Sequence, residues 1–293
     1  MHEINFTDRS FNQNDAAHYS ISIQVNNSGL TYCILNNETN NYILFRKHRF
    51  EQVILPGDLI RNVENTLEKD EVLSLPFHRI IFLGYTQQST LIPEGFFEYD
   101  HRDKYLKFNH ADDTDSAIFS NYIVSPGLYN VFALPDDLVA LIKLHFRKVA
   151  IMNQTTTFLM RIASQPEAFN RSSVHLGLNH DFFDIACTGE GTLQLYNTFQ
   201  FTGENDLLYY ILFVFNKMGF DPDQIPLLIS GELSSRLSYS DIIRQYIRNT
   251  RFDEAIPVHT LSPALKQITT SKFLNLLNVQ ACASSAENSG DAG

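Results

Sequence analysis

The chain has 293 residues, 44% of them hydrophobic and 23 of them phenylalanine, enough for one large core or two moderate ones and too apolar for a disordered chain. Its 22 basic and 33 acidic residues leave a net charge of -11, which repels nucleic acid and anionic lipid, and the short basic runs at 46–49 and 145–148 do not reverse that. Three cysteines without CxxC spacing argue against a zinc site and against a disulfide framework.

The first residues are polar, carry no leader-like apolar run, and read as an N-terminal extension over 1–17. "SISIQVNNSGLTYCIL" (20–35) then alternates like two strands joined by a polar turn, and "NNETNN" turns the chain into a third strand, "ILFRKHRF". Leu59, Ile60, Val63 and Leu67 share one face of a helix over 57–69, with Asp58 placed to cap it. A short apolar strand follows, Arg79 to Tyr85, holding Gly84. Pro93 can open a helix over 93–108, "LYNVFALP" (128–135) reads as a strand, and Asp136 can cap a helix over 137–146. Thr155 to Ala163 reads as a helix ending a first subdomain of 18–164, and "SQPEAFNRS" marks a linker at 165–172.

The chain then repeats itself. Residues 173–201 again read as three strands with a cysteine in the second and the tight turn "GEG" before the third. A helix over 204–220 opens at Asn205 or Asp206 and closes near Gly219. Its apolar run Leu207–Phe215 is half the length that spans a bilayer, so it reads as a core helix. "PLLISGE" (226–232) is the counterpart of the strand at Gly84. A helix over 238–252, a strand at 255–261 and a helix over 271–280 complete a second subdomain of 173–281, and 282–293 has the small, polar composition of a disordered tail. Cys33 aligns with Cys187 and Gly84 with Gly231. The fold class is α/β: two similar subdomains, each βββαβαβα.

This duplication resembles the actin-like ATPase (ribonuclease H-like) fold of actin, sugar kinases, heat-shock chaperone ATPases and pilus-assembly proteins. In "STLIPEGFF" and "NVFALPDDL" the chain is similar to an uncharacterised bacterial family, a domain of unknown function with that fold. The resemblance implies a cleft between the subdomains that binds ATP, with one phosphate loop from each. The first usually supplies an aspartate where this chain has Gln24, and a glycine where it has Asn26; Asn27 and Ser28 complete that turn. In the second, Gly177 replaces the aspartate and Asn179 the glycine, with His180 beside it. The adenosine-contacting turn keeps Ser230 and Gly231 and has Glu232 where a second glycine is usual. A neutral amide hydrogen-bonds but brings no charge to magnesium, and phosphoryl transfer depends on positioned metal and water.

Other candidates read as structure. Asp181 and Asp184, around Phe182 and Phe183, read as turn and solvent-facing strand residues rather than metal ligands. The His/Asp-rich stretch 100–115 lacks the glycine and terminal glutamate of a calcium loop. Cys33 and Cys187 read as small core residues at equivalent mid-strand positions. The third strands, at 43–50 and 193–201, are expected at sheet edges, where a partner could dock. The expectation is a cytoplasmic, non-catalytic, degenerate actin-like protein with no cofactor and no metal, acting through an unknown protein partner. The alternatives are an atypical ATP-binding switch using magnesium and an enzyme acting on an unknown small molecule.

Overall fold

The computed structural model describes residues 2–50, 56–110, 115–165, 169–231, 238–253 and 257–287. It divides the chain into two compact units. Unit 1 comprises Met1–Met160, Pro257–Ile268 and Asn275–Gly293, and unit 2 comprises Arg161–Ile256 and Thr269–Leu274.

Unit 1 is built on β1 (His2–Thr7), β2 (Tyr19–Asn26), β3 (Gly29–Asn36) and β4 (Asn41–Arg49), followed by α1 (Pro56–Lys69) and β5 (Arg79–Gly84). An excursion follows: β6 (Ser89–Pro93), α2 (Arg102–Asn109), β7 (Ser116–Ile123) and β8 (Leu128–Pro135). The chain returns through α3 (Asp136–His145) and β9 (Val149–Asn153) into α4 (Gln154–Ala163). Strands β2 and β3 are buried on both faces, as at the centre of a sheet covered on both sides, so the polar members of their alternation, Ser20, Ser22, Gln24 and Thr31, are buried too. The sheet order is β1-β4-β3-β2-β5-β9, antiparallel from β1 to β2 and parallel from β2 to β9. On one face Ile21, Ile23, Tyr32 and Ile34 pack with Val63 and Leu67 of α1 and Ile142 of α3.

Unit 2 repeats the plan with β10 (Ser173–Leu178), β11 (Phe182–Gly189), β12 (Thr192–Gln200), α5 (Glu204–Met218), β13 (Leu227–Gly231), α6 (Ser238–Tyr246) and β14 (Thr250–Phe252). Its order β12-β11-β10-β13-β14, antiparallel to β10 and parallel beyond it, matches β4-β3-β2-β5-β9 strand for strand. The β11–β12 hairpin turns on Glu190 and Gly191, both at positive φ, as a two-residue primed turn requires. Apolar residues of α5 and α6, among them Leu207, Ile211 and Ile243, pack on Leu176, Ile185 and Ile229 of the sheet. Along α5 only one side is covered: Tyr209 and Phe213 remain exposed.

The chain ends by returning to unit 1. β15 (Thr260–Leu261) pairs with β4, and α7 (Leu274–Glu287) lies on the sheet face opposite α1. There Tyr42 Oη donates to the Leu277 carbonyl at 2.7 Å, and Gln280 Nε2 donates to the Ile21 carbonyl at 3.0 Å and to Ser22 Oγ at 2.9 Å. Among the described residues no helix is long and apolar enough to cross a membrane.

Several sequence-based expectations change. The N-terminal residues are strand β1, paired with β4, so β4 is not an edge; β12 is the edge of its sheet among the described residues. The passage between units falls inside α4, ahead of the expected linker, of which 166–168 lie outside the described residues. Residues 257–268 and 275–281 belong to unit 1 rather than to a second subdomain of 173–281, and 282–287 continue α7 rather than a tail, with Cys282 and Ala283 buried. The helix expected over 93–108 is two single 3-10 turns and α2, and the one expected over 238–252 stops at Tyr246 before β14. Of the strand expected at 255–261, only Thr260–Leu261 pairs, and 255–256 lie outside the described residues. Asp58 lies in the first turn of α1, and Pro135 caps α3 with Asp136 inside it.

Candidate functional site

The pairing registers place Gln24 and Gly177, the two expected phosphate-loop positions, in their sheets. Gln24 on β2 faces Thr31 on β3 and Leu83 on β5, next to Gly84, and Gly177 on β10 faces Asp184 on β11 and Ser230 on β13, next to Gly231. Gln24 and Gly177 are therefore structural equivalents. The same registers align Cys33 with Ala186, not Cys187. Cys33 points toward α7, its Sγ at 3.9 Å from the Leu276 carbonyl, whereas Cys187 joins the core under α5. None of the three buried cysteines is in a disulfide, and burial pushes Cys33 up and Cys187 up to about 12.

In unit 1, Gln24, Asn26, Asn27 and Ser28 come together at the β2–β3 turn. Gln24 is only 6% exposed, and Asn27 projects at the tip. Asn26 Oδ1 accepts from the Ser28 amide at 2.9 Å, the Ser28 hydroxyl at 2.6 Å and the Gly29 amide at 3.1 Å. Such an Asx turn holds the chain with its own side chain. The amides that an anion-binding turn would point outward are thus bonded to Asn26. Gly29 is required here, because a Cβ would lie 2.1 Å from the His48 carbonyl oxygen.

In unit 2, Gly177, Asn179, Ser230 and Gly231 come together at the paired ends of β10 and β13, with His180 exposed at the tip of the following turn. The Asn179 amide donates to the Phe182 carbonyl at 2.9 Å, closing that turn, while Asn179 Nδ2 reaches Asp184 Oδ2 at 3.4 Å. Gly231 has φ +97°, and a Cβ there would stand 2.1 Å from the Leu178 carbonyl oxygen, so no other residue fits without strain. Glu232 lies outside the described residues.

Asp184 corrects the reading of a solvent-facing strand residue: it is 1% exposed. Its Oδ1 accepts from Tyr196 Oη at 2.7 Å and from Thr198 Oγ1 at 2.8 Å. Directly opposite Gly177, it puts a buried carboxylate one strand away from the position where the fold's aspartate is expected. Asp181 is half-buried in the turn.

Further buried polar groups surround this face of the unit 2 sheet. Arg161 at the end of α4 forms a buried ion pair with Asp253, and its Nη2 donates to Ser230 Oγ at 3.3 Å; Ser230 Oγ in turn donates to the Leu176 carbonyl at 3.1 Å. His175, 2% exposed, has Nε2 3.0 Å from Ser173 Oγ, which is 2.7 Å from Thr188 Oγ1. Burial pushes the His175 pKa down, Arg161 adds to that, and Asp253 opposes it, leaving it at about 4. The imidazole is neutral at pH 7.

Unit 1 carries a second network that the sequence reading missed. Asn153 Oδ1 accepts from the Thr155 amide at 2.9 Å, capping α4, and from Asn130 Nδ2 at 2.9 Å, while Gln154 Nε2 donates to the Thr86 carbonyl at 2.8 Å. The run "NQTTT" was the available signal, since five successive polar residues between an apolar strand and an amphipathic helix must be satisfied somewhere when buried. Among the described residues no group of three or more His, Cys, Asp or Glu is set to hold a metal. The neutral pair Gln24 and Gly177 does not fit the magnesium apparatus of the fold.

The chain belongs to the family described as "Protein of unknown function (DUF3822)", whose model matches residues 8–250. No curated protein matches its sequence. A solved structure from Bacteroides thetaiotaomicron, described as a protein with actin-like ATPase fold and unknown function, is similar at 19% identity and TM-score 0.77, over 93% of this chain and 99% of that one. The PilM-PilN type IV pilus biogenesis complex is similar at 8% identity and TM-score 0.60, over 91% of this chain and 98% of the matched one. These likenesses establish the actin-like ATPase fold.

Proposed function

We propose that this family member is a non-catalytic protein that uses its duplicated actin-like scaffold to bind a protein partner. The observation that carries this reading is Asn26, whose carbonyl oxygen takes the turn amides of Ser28 and Gly29 that an active phosphate loop would keep for its ligand. Gln24 and Gly177 add to it by supplying no charge to a metal. The assembly of PilM with PilN supports a binding role for the scaffold, since it is an instance of this fold working in a complex. Three buried cysteines outside any disulfide suit a reducing compartment, which supports a cytoplasmic place for the protein.

A second reading, an atypical ATP-binding switch, draws on Asp184, a carboxylate facing Gly177 across the sheet. Its oxygens already accept from Tyr196, Thr198 and Asn179, so it would have to exchange those bonds for a hydrated cation. Fluorescent-nucleotide titration of the parent and of the triple variant Gln24→Asp, Gly177→Asp, Asn26→Gly separates the two. The proposal expects no magnesium-dependent binding by the parent and its appearance in the variant. Binding by the parent that Asp184→Asn abolishes would establish the switch instead.

A further inference from the structure

Beside the β2–β3 turn, whose Ser28 carbonyl accepts from the Phe50 amide at 3.1 Å, unit 1 holds an open cavity of about 610 Å³ between the end of β4 and the polar side of α1. Arg46 and His48, two apart on β4, share one face of the strand. Asn62, Asn65, Thr66 and Lys69 follow the helical spacing that puts them on one stripe of α1, and both sets line the cavity. Asp70 forms its floor.

The floor is fixed with unusual completeness. Asp70 Oδ1 accepts from Arg46 Nη1 at 2.8 Å and from the Val72 amide at 3.2 Å; its Oδ2 accepts from Tyr32 Oη at 2.6 Å and lies 2.9 Å from His48 Nε2. Asn5 Oδ1 holds Arg46 Nε at 3.1 Å. Burial pushes the Asp70 pKa up, but His48, Tyr32 and Arg46 outweigh it and hold it at about 2. The carboxylate is therefore ionised and fully engaged, and it orients Arg46 and His48 at the cavity wall in advance of any ligand.

The charge of the lining runs against that of the molecule. Arg46, Arg49 and Lys69 face Asp70 and Glu71, an excess of one cation in a chain of net charge -11. Arg49 and Lys69 are exposed at the rim, where they can swing onto an arriving anion. Asn62, Asn65 and Gln13 offer amides that pair with hydroxyl groups, and the apolar lining is limited to Phe50 and Val72. The volume falls in the range of small-molecule sites. A nucleobase would want a broad apolar slot, and a fatty acyl chain still more apolar wall; neither is present among the described lining residues.

We infer that this cavity is a binding site for a small hydroxylated phosphate monoester of the sugar-phosphate class. Arg46, Arg49 and Lys69 would take the phosphate, and the α1 amides the hydroxyls. The inference does not depend on whether a protein partner binds elsewhere.

The test is isothermal titration of the full chain with inorganic phosphate, glucose and glucose 6-phosphate as probes. The expected result is that phosphate binds in the millimolar range, glucose 6-phosphate binds more tightly, and glucose alone does not bind. Arg49→Ser with Lys69→Ser, both exposed and safe for folding, should weaken phosphate binding by about tenfold or more, the weight of lost charge-assisted contacts. Lys217→Ser, which removes an exposed cation on α5 of unit 2, should leave it unchanged. The inference is overturned by absence of phosphate binding, by equal affinity in the Arg49/Lys69 variant, or by an equal loss of binding in Lys217→Ser. Equal affinity for phosphate and glucose 6-phosphate would overturn the assignment of the amides to ligand hydroxyls.

Discussion

His175 shows how a single buried side chain ties the stability of unit 2 to pH. In the unfolded chain it protonates near 6.5 and in the folded protein only near 4, because burial and Arg161 disfavour the imidazolium. The unfolded state therefore binds the proton more tightly across that window. The contribution of neutral His175 is fully present above pH 6.5 and is lost progressively as pH falls toward 4 and below. Urea unfolding at steps between pH 7 and pH 4 should show a decline in stability that is shallower in His175→Gln than in the parent. Parallel curves would mean that the imidazole is charged, or exposed, in the folded protein. At the same scale, Asn26 and Asp184 illustrate why site residues are hard to read from sequence. Asn26 was legible as a turn residue, but its capture of two turn amides is a geometric fact. Asp184 looked like an exposed strand carboxylate because its neutralising donors, Tyr196 and Thr198, come from the next strand.

Among the elements, α7 departs most from its expected place. As a last helix it was readable from the apolar residues of "SKFLNLLNVQ", yet composition alone extended the polar tail back to residue 282. The alanines and serines after Ala281 look like a tail, but Cys282 and Ala283 close the core against Ile81 and Leu83. Truncation after Ala281 should therefore cost about 1–2 kcal/mol in chemical denaturation, the scale of burying two small side chains and the helix turn that carries them. A truncated chain as stable as the full one would return these residues to the tail. Local periodicity served well where a strand or helix carries its own pattern: β2, β3, β5, β8, α1, α5 and the positions of Gly84 and Gly231 all came from it. It failed on β1, β7 and β9. β1 and β9 pair with strands distant in sequence, whereas β7 is half-buried along nearly all its length and pairs with the next strand, β8, where Asn130 is a polar residue kept inside by a network rather than by hydrophobicity. Which edge is free also depends on pairing: β4 is covered by β1 and β15, while β12, its counterpart, carries no charged residue and no added strand among the described residues.

For the molecule as a whole, the duplication is the feature that composition could not reveal and internal comparison could. Two sheets share the same strand order and the same switch from antiparallel to parallel, one plan used twice. The repeat also fixed the equivalence of Gln24 and Gly177, though the cysteines used to align it prove to be one residue out of step. That small error did not matter, because Gly84 and Gly231 each close the parallel strand beside the loop. Fold alone does not fix activity: this actin-like scaffold carries the uncharged residues Gln24 and Gly177 at equivalent positions of its two sheets.

The most direct test of this account is thermal unfolding of the parent protein with and without saturating magnesium and ATP. A ligand bound only to the native state at one hundred times its dissociation constant adds about 2.7 kcal/mol, which raises the melting temperature of a protein of this size by roughly 5 to 10 °C. The account predicts no shift with ATP, with ADP, or with either nucleotide plus magnesium. A magnesium-dependent rise of that size would contradict it and make nucleotide binding the function that the scaffold has kept.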